Sequence, residues 1–89
     1  MSFQVNKTKR FQKRFDELPS NLQDIAIKKI DIIIENPFDN SLDSHKLQGK
    51  LKEYWACSIN YKNRIIFSIQ GKKLFLETIG SHSIYDRFR

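Results

Sequence analysis

The polar side chains of this 89-residue chain that could do chemistry are His45, Lys50, Lys52, Glu53, Arg64, His82, Tyr85, Arg87 and Arg89. Histidine titrates near pH ~6.5, so its acid and base forms coexist at neutral pH. Arginine and lysine supply positive charge, and tyrosine supplies a proton donor with an aromatic face. Those roles suit metal-independent scission of an RNA phosphodiester. A base takes the proton of the ribose 2′-hydroxyl, cations stabilise the crowded phosphorane, and an acid protonates the departing 5′-oxygen. His82 comes after Gly80-Ser81 and an apolar stretch, where a loop presents a side chain from a rigid scaffold. Each residue also has a plain structural reading: an exposed loop histidine for His82, a salt bridge to Glu53 or Glu77 for Arg64, solvated charge for Lys50 and Lys52, and packing for Tyr85. The sequence has no glycine-rich phosphate loop, metal-ligand helix motif or nucleophile elbow. Its two histidines stand 37 residues apart with no carboxylate cluster beside them, so neither a metal site nor a cofactor is expected.

The charge of the chain is unevenly placed. Lysine and arginine total 16 against 10 aspartate and glutamate, a net charge of +6. Residues 1–45 are balanced, with Lys7, Lys9, Arg10, Lys13, Arg14, Lys28 and Lys29 against Asp16, Glu17, Asp24, Asp31, Glu35, Asp39 and Asp43. The excess lies in residues 46–89, where nine basic side chains face Glu53, Glu77 and Asp86. Such a half predicts a polyanionic partner: nucleic acid, an acidic membrane surface, or an acidic protein that masks the patch. Cys57 is the only cysteine. It allows no intrachain disulfide and no thiolate zinc cluster, and the cytoplasm is the expected compartment. The longest aliphatic run is Ile32-Ile33-Ile34, and the N-terminus has no apolar core of signal-peptide length. Neither export by that route nor membrane insertion is expected.

A chain of this length predicts one domain spanning residues 1–89, and no repeat or linker divides it. Phe11, Phe15 and Leu18 recur at helical spacing, as do Leu22, Ile25, Ala26, Ile30, Ile33 and Ile34. Two amphipathic helices are expected at about 8–17 and 20–36. Pro19 separates them, Ser20 with Gln23 reads as a capping box, and Asn36-Pro37 stops the second. Ser2 to Val5 reads as a short strand. After a turn-like stretch from Phe38 to Ser44, the period becomes two. Trp55, Cys57, Ile59 and Tyr61 are expected to share one strand face, Lys62-Asn63 to make a tight hairpin, and Ile65, Phe67 and Ile69 to alternate with Arg64, Ile66 and Ser68. Gln70-Gly71-Lys72 reads as a second turn before a strand from Leu74 to Ile79. Ser81 to Arg89 reads as a loop or a helical turn. Arg64 projects opposite to Ile65 and Phe67, whereas Trp55 reads as core. The expected class is α+β, a helical hairpin on a small, mainly antiparallel sheet.

The linear pattern is more specific than its parts. His45-Lys46-Leu47-Gln48-Gly49-Lys50-Leu51-Lys52-Glu53-Tyr54-Trp55, then Tyr61-Lys62-Asn63-Arg64-Ile65-Ile66-Phe67, then Ile79-Gly80-Ser81-His82 and Tyr85, resembles the RelE/ParE superfamily of bacterial toxins from type II toxin–antitoxin pairs. Phe11-Gln12-Lys13-Arg14-Phe15, Leu18-Pro19 and Asn36-Pro37 resemble its N-terminal helical hairpin. The nearest-looking branch is the YoeB/YafQ-like group of messenger RNA endonucleases. The resemblance implies a twisted antiparallel sheet whose concave face carries the active site. It also implies that Arg64 stabilises phosphate, His82 acts as acid or base, His45 stands near a family base, and Tyr85 stacks on a base or assists the acid. Lys50, Lys52, Arg87 and Arg89 would hold RNA phosphates. Ser58 stands where the YafQ-like branch has a further histidine, and Tyr85 follows His82 by three residues rather than one or four. The implied partners are a cognate antitoxin, messenger RNA and the ribosome, without a membrane. Two alternatives share the fold: a ParE-like inhibitor of DNA gyrase and an inactive relic that binds only its antitoxin.

Overall fold

The hydroxyl of Thr8 begins the first helix and fastens it to the sheet. Its Oγ1 accepts from the Phe11 N–H at 3.0 Å and donates to the Glu77 carbonyl at 2.8 Å. The computed structural model describes residues 2–81 and 83–87, with Asp86 and Arg87 described only in their backbone. The elements in chain order are β1 (Gln4–Lys7), α1 (Lys9–Asp16), α2 (Ser20–Glu35), β2 (His45–Lys46), β3 (Trp55–Ser58), β4 (Asn63–Gln70), β5 (Lys73–Ser81) and α3 (Ile84–Arg87). The strands form one five-stranded sheet in the order β1-β5-β4-β3-β2. β1 runs parallel to β5, and the other pairs are antiparallel. This is the expected α+β class. The first strand begins two residues later than the sequence suggested, at Gln4 rather than Ser2.

α1 and α2 cover one face of the sheet. Phe11, Ala26 and Ile33 bury there with Cys57, Ile65, Phe67, Leu74, Leu76 and Ile79, and Phe15, Leu18, Ile25 and Ile30 close the margins. Phe38 and Trp55 meet edge to face at 4.7 Å, sealing the β3 side. The expected capping box does not form. Pro19 is the N-cap and has no hydrogen-bonding side chain, so its carbonyl receives Leu22 and Gln23. Gln23 Nε2 donates instead to the Phe15 carbonyl at 2.9 Å, joining the two helices.

Two further expectations are corrected. Tyr61 is not on a strand: β3 ends at Ser58, and Tyr61 is 89 % exposed in the connection that follows. The tight Lys62-Asn63 hairpin is replaced by a longer turn. Asn60 Oδ1 accepts from the N–H groups of Lys62 and Asn63 at 3.0 and 2.9 Å, supplying the bonds that a two-residue turn would make with its backbone. Ile66 lies on the Arg64 face, as the alternation expects, and is fully buried there between Ala56 and Thr78, which are themselves buried. At the other end of β4, Gly71 adopts φ 61° in the two-residue turn to β5, a conformation that disfavours side chains.

The β4–β5 pairing slips between Ile66 and Phe67, so Glu77 is the extra residue of a β-bulge. A bulge frees a main-chain carbonyl, and Thr8 satisfies this one. The Glu77 carboxylate accepts from Ser68 Oγ at 2.7 Å. One pH effect follows from the core. Burial, the leading cause, pushes the Cys57 thiol from its ordinary value of 9.0 up to about 12. The unfolded chain ionises this thiol first, so its contribution to stability is full below pH ~8.5 and is lost as pH rises toward the folded value. Between pH ~9 and ~11, urea unfolding of the wild type should lose about 1.4 kcal/mol per pH unit more than that of Cys57→Ala. Equal slopes would remove this assignment.

Candidate active site on the open sheet face

β4 presents Arg64 on the face opposite the helices. Strand pairing places Ser58 on β3 and Gly80 on β5 beside it, and Ala56, Ile66 and Thr78 on the same face further along. The guanidinium is held by the turn that precedes β4. Nη1 donates to the carbonyls of Asn60, Asn63 and Tyr61 at 2.7, 3.0 and 3.1 Å. Neither Glu53 nor Glu77 pairs with it among the described residues. Among the described residues no acceptor pairs with Nε or Nη2, and the planar fork to which they belong suits phosphate.

Tyr61, Lys62, Arg64, Ser81 and Ser83 line an open groove of about 460 Å³. Of these, only Arg64 was singled out from the sequence as a site residue. Asn60 and Asn63 bracketing Tyr61-Lys62 were the available signal, since paired asparagines favour a loop that lifts both side chains out of the sheet. Ser81 and Ser83 face each other with hydroxyls 3.0 Å apart.

Tyr85 in α3 is half-buried, and burial pushes its hydroxyl above the ordinary range, partly opposed by the nearby Arg64 charge. It stays protonated at neutral pH and can donate. Gly80 controls the approach of α3. A β-carbon there would lie 2.6 Å from the Ile84 Cγ2 methyl, and its φ is 158°. Gly80→Ala should therefore displace α3 with Tyr85 and destabilise the fold by about 1–3 kcal/mol. Urea denaturation checks this; a variant as stable as the wild type would refute the close-packing argument.

His45 lies on the same face, paired with Ala56 at the β2 edge. Strand spacings put its Cα roughly 12 Å from that of Arg64. Its Nδ1 is 3.3 Å from the Asp43 carbonyl. In the tautomer that donates there, Nε2 carries the lone pair a base needs. Lys50 and Lys52 are not brought to the groove. They sit in and beside a 3-10 turn, Gly49–Leu51, rather than on an extended segment, and reach β3 at the end away from Arg64. His82 and Arg89 lie outside the described residues, as does the side chain of Arg87 in α3. No group of three His, Cys, Asp or Glu residues able to hold a metal ion exists among the described residues. No helix among them is long and apolar enough to cross a membrane.

A helical hairpin backed onto one five-stranded, mainly antiparallel sheet is the fold of RelE-like toxins. The profile of the YafQ family, bacterial toxins of type II toxin–antitoxin systems, matches residues 3–86. The chain belongs to that family. It is similar to the conserved hypothetical protein HP0894 from Helicobacter pylori, at 30% identity and TM-score 0.64 over 91% of this chain and 96% of that one. YafQ from E. coli superimposes with TM-score 0.75 at 18% identity, covering 93% and 97% of the two chains. A chain of the E. coli DinJ–YafQ toxin–antitoxin complex gives TM-score 0.78 at 17% identity, covering 94% and 97%. No curated protein sequence gives a significant match.

Proposed function

We propose that this toxin is an endoribonuclease that cleaves messenger RNA, in association with the ribosome, by metal-independent attack of the 2′-hydroxyl, leaving a 2′,3′-cyclic or 3′-phosphate end. The observation that carries the reading is Arg64, fixed through one guanidinium nitrogen to three main-chain carbonyls beside an open groove, with a planar fork of the kind that pairs with phosphate. Arg64 stabilises charge on the phosphorane. His82 and His45 are the acid–base candidates, and Tyr85 stacks on a base or donates to the leaving oxygen. Lys62 rims the groove. Lys50, Lys52, Arg87 and Arg89 serve the RNA backbone further from the reacting phosphate.

The second partner is a cognate antitoxin, supported by the toxin–antitoxin complex among the similar structures. Its acidic or amphipathic segment covers the basic surface and occludes the groove. The cytoplasm, where ribosomes and messenger RNA are found, is the compartment this activity requires. Primer extension on a defined messenger RNA, with and without programmed ribosomes, tests the reading. Discrete new ends that require ribosomes are the expected result. Folded, antitoxin-free protein that produces no ends under either condition would overturn it and favour gyrase inhibition or an inactive relic.

A further inference from the structure

Tyr61 adds almost nothing to the core and yet is held in place. It is 89 % exposed, whereas Ile27 and Phe38, the other exposed large apolar side chains among the described residues, are 49 % and 45 % exposed and still rest partly on the fold. The hydrophobic gain scales with area removed from water, so packing does not account for this ring. Its backbone, by contrast, is fixed on both sides. Asn60 Oδ1 accepts from the Lys62 N–H, the Asn63 N–H and Asn63 Nδ2 at 3.0, 2.9 and 3.1 Å. The Ile59 N–H donates to the Asn63 carbonyl at 3.0 Å and closes the base of the loop. The Tyr61 carbonyl accepts from Arg64 Nη1 at 3.1 Å, so one hydrogen-bonded unit carries both the ring and the guanidinium. A tyrosine ring has only two side-chain torsions to fix, and on a fixed backbone it loses little freedom when a ligand covers it.

We infer that Tyr61 is a stacking platform for an unpaired nucleobase of the RNA strand whose phosphate Arg64 holds, and that it gives the groove a preference for purines. The inference rests on the RNA-directed reading above and names what the groove recognises. Tyr61 and Arg64 line the same open groove of about 460 Å³, with Lys62, Ser81 and Ser83 on its other walls. An unpaired nucleotide presents a flat π-face and an anionic phosphate, and an aromatic ring beside a cation meets both. A nucleobase fits this ring better than an apolar side chain of a protein. Protein interface cores are depleted of charge, whereas the walls around Tyr61 are two cations and two hydroxyls. Stacking accepts every base because each has a π-face, and its strength grows with the area of overlap. The two-ring purines therefore gain more from Tyr61 than the one-ring pyrimidines.

The test titrates the antitoxin-free full chain with two probes over a salt series: decamers of adenylate and of uridylate, both 2′-O-methylated so that no attacking hydroxyl remains. The wild type should bind the adenylate decamer about threefold or more tightly than the uridylate one. Tyr61→Leu, which keeps bulk but not the ring, should bind adenylate roughly five- to 150-fold more weakly, the range for losing one base–aromatic stack. Tyr61→Phe keeps the ring and should stay within about twofold. Stacking releases no counterions, so the log–log salt slope of Tyr61→Leu should equal that of the wild type, whereas Arg64→Ala should make it shallower by about 0.7. Urea midpoints of the Tyr61 variants should match the wild type, since the side chain is exposed. Wild-type adenylate affinity in Tyr61→Leu would overturn the inference, as would a wild type that binds both decamers equally or neither. A slope in Tyr61→Leu as shallow as that of Arg64→Ala would mean that the residue acts only by placing Arg64, and would also overturn it. So would loss of antitoxin binding with RNA affinity unchanged, which would assign the ring to a protein partner. Ring-dependent binding of adenylate by a wild type that yields no cleavage ends would sustain the platform while rejecting the nuclease reading.

Discussion

Arg64→Ala should lower cleavage of a defined messenger RNA by about two to three decades, the usual effect of removing one preorganised donor to a developing oxyanion. The same change removes the bonds from Nη1 to the carbonyls of Asn60, Tyr61 and Asn63, so a stability loss of roughly 1–2 kcal/mol accompanies it. Arg64→Lys separates the two effects. It keeps the charge but lacks the planar fork, so it should recover only part of the activity. His82→Ala should cost roughly two or more decades through loss of a general acid or base, with folding intact. Residues acting on one transition state are not additive, so the double variant should fall little below the worse single one. Primer extension measures the ends and urea denaturation measures the fold. Discrete ends at wild-type yield from folded Arg64→Ala would remove Arg64 from the reaction.

Phe67→Ala should destabilise the protein by about 3–5 kcal/mol, because Phe67 is fully buried in the central strand and its ring cannot be replaced by relaxation alone. A domain of this length holds roughly 4–13 kcal/mol in total. The variant should therefore be largely unfolded at 37 °C if the wild type lies at the lower end of that range. Phe67→Leu preserves more of the volume and should lose much less. The distinction bears on function because β4 carries Arg64 at one end and Phe67 in its middle. Cleavage by Phe67→Ala should fall in proportion to the folded fraction measured by circular dichroism. Loss of cleavage from fully folded protein would mean that Phe67 positions the site directly.

The helices, the change to period-two spacing after Pro37 and the α+β class could be read from the residues, because apolar spacing records which face of each element is buried. Arg64 was legible for the same reason: alternation puts it opposite Ile65 and Phe67. Three things required the tertiary structure. Ser20 and Gln23 have the spacing of a capping box, but Pro19 takes the cap and Gln23 finds the Phe15 carbonyl, a partner that exists only once α1 folds back. Tyr61 continues the apparent strand pattern and Lys62 reads as part of a tight turn, yet the Asn60 carboxamide closes the backbone early and both side chains line the groove. Lys50 and Lys52 are near Arg64 in sequence but far along β3 in space.

By itself, then, the sequence determined the elements, their buried faces and the excess of positive charge, since these depend on local spacing and composition. The placing of His45 and Arg64 on one sheet face was decided by strand order and register. Those depend on pairings between residues far apart in the chain, such as Arg64 with Gly80 and His45 with Ala56, which local periodicity does not encode.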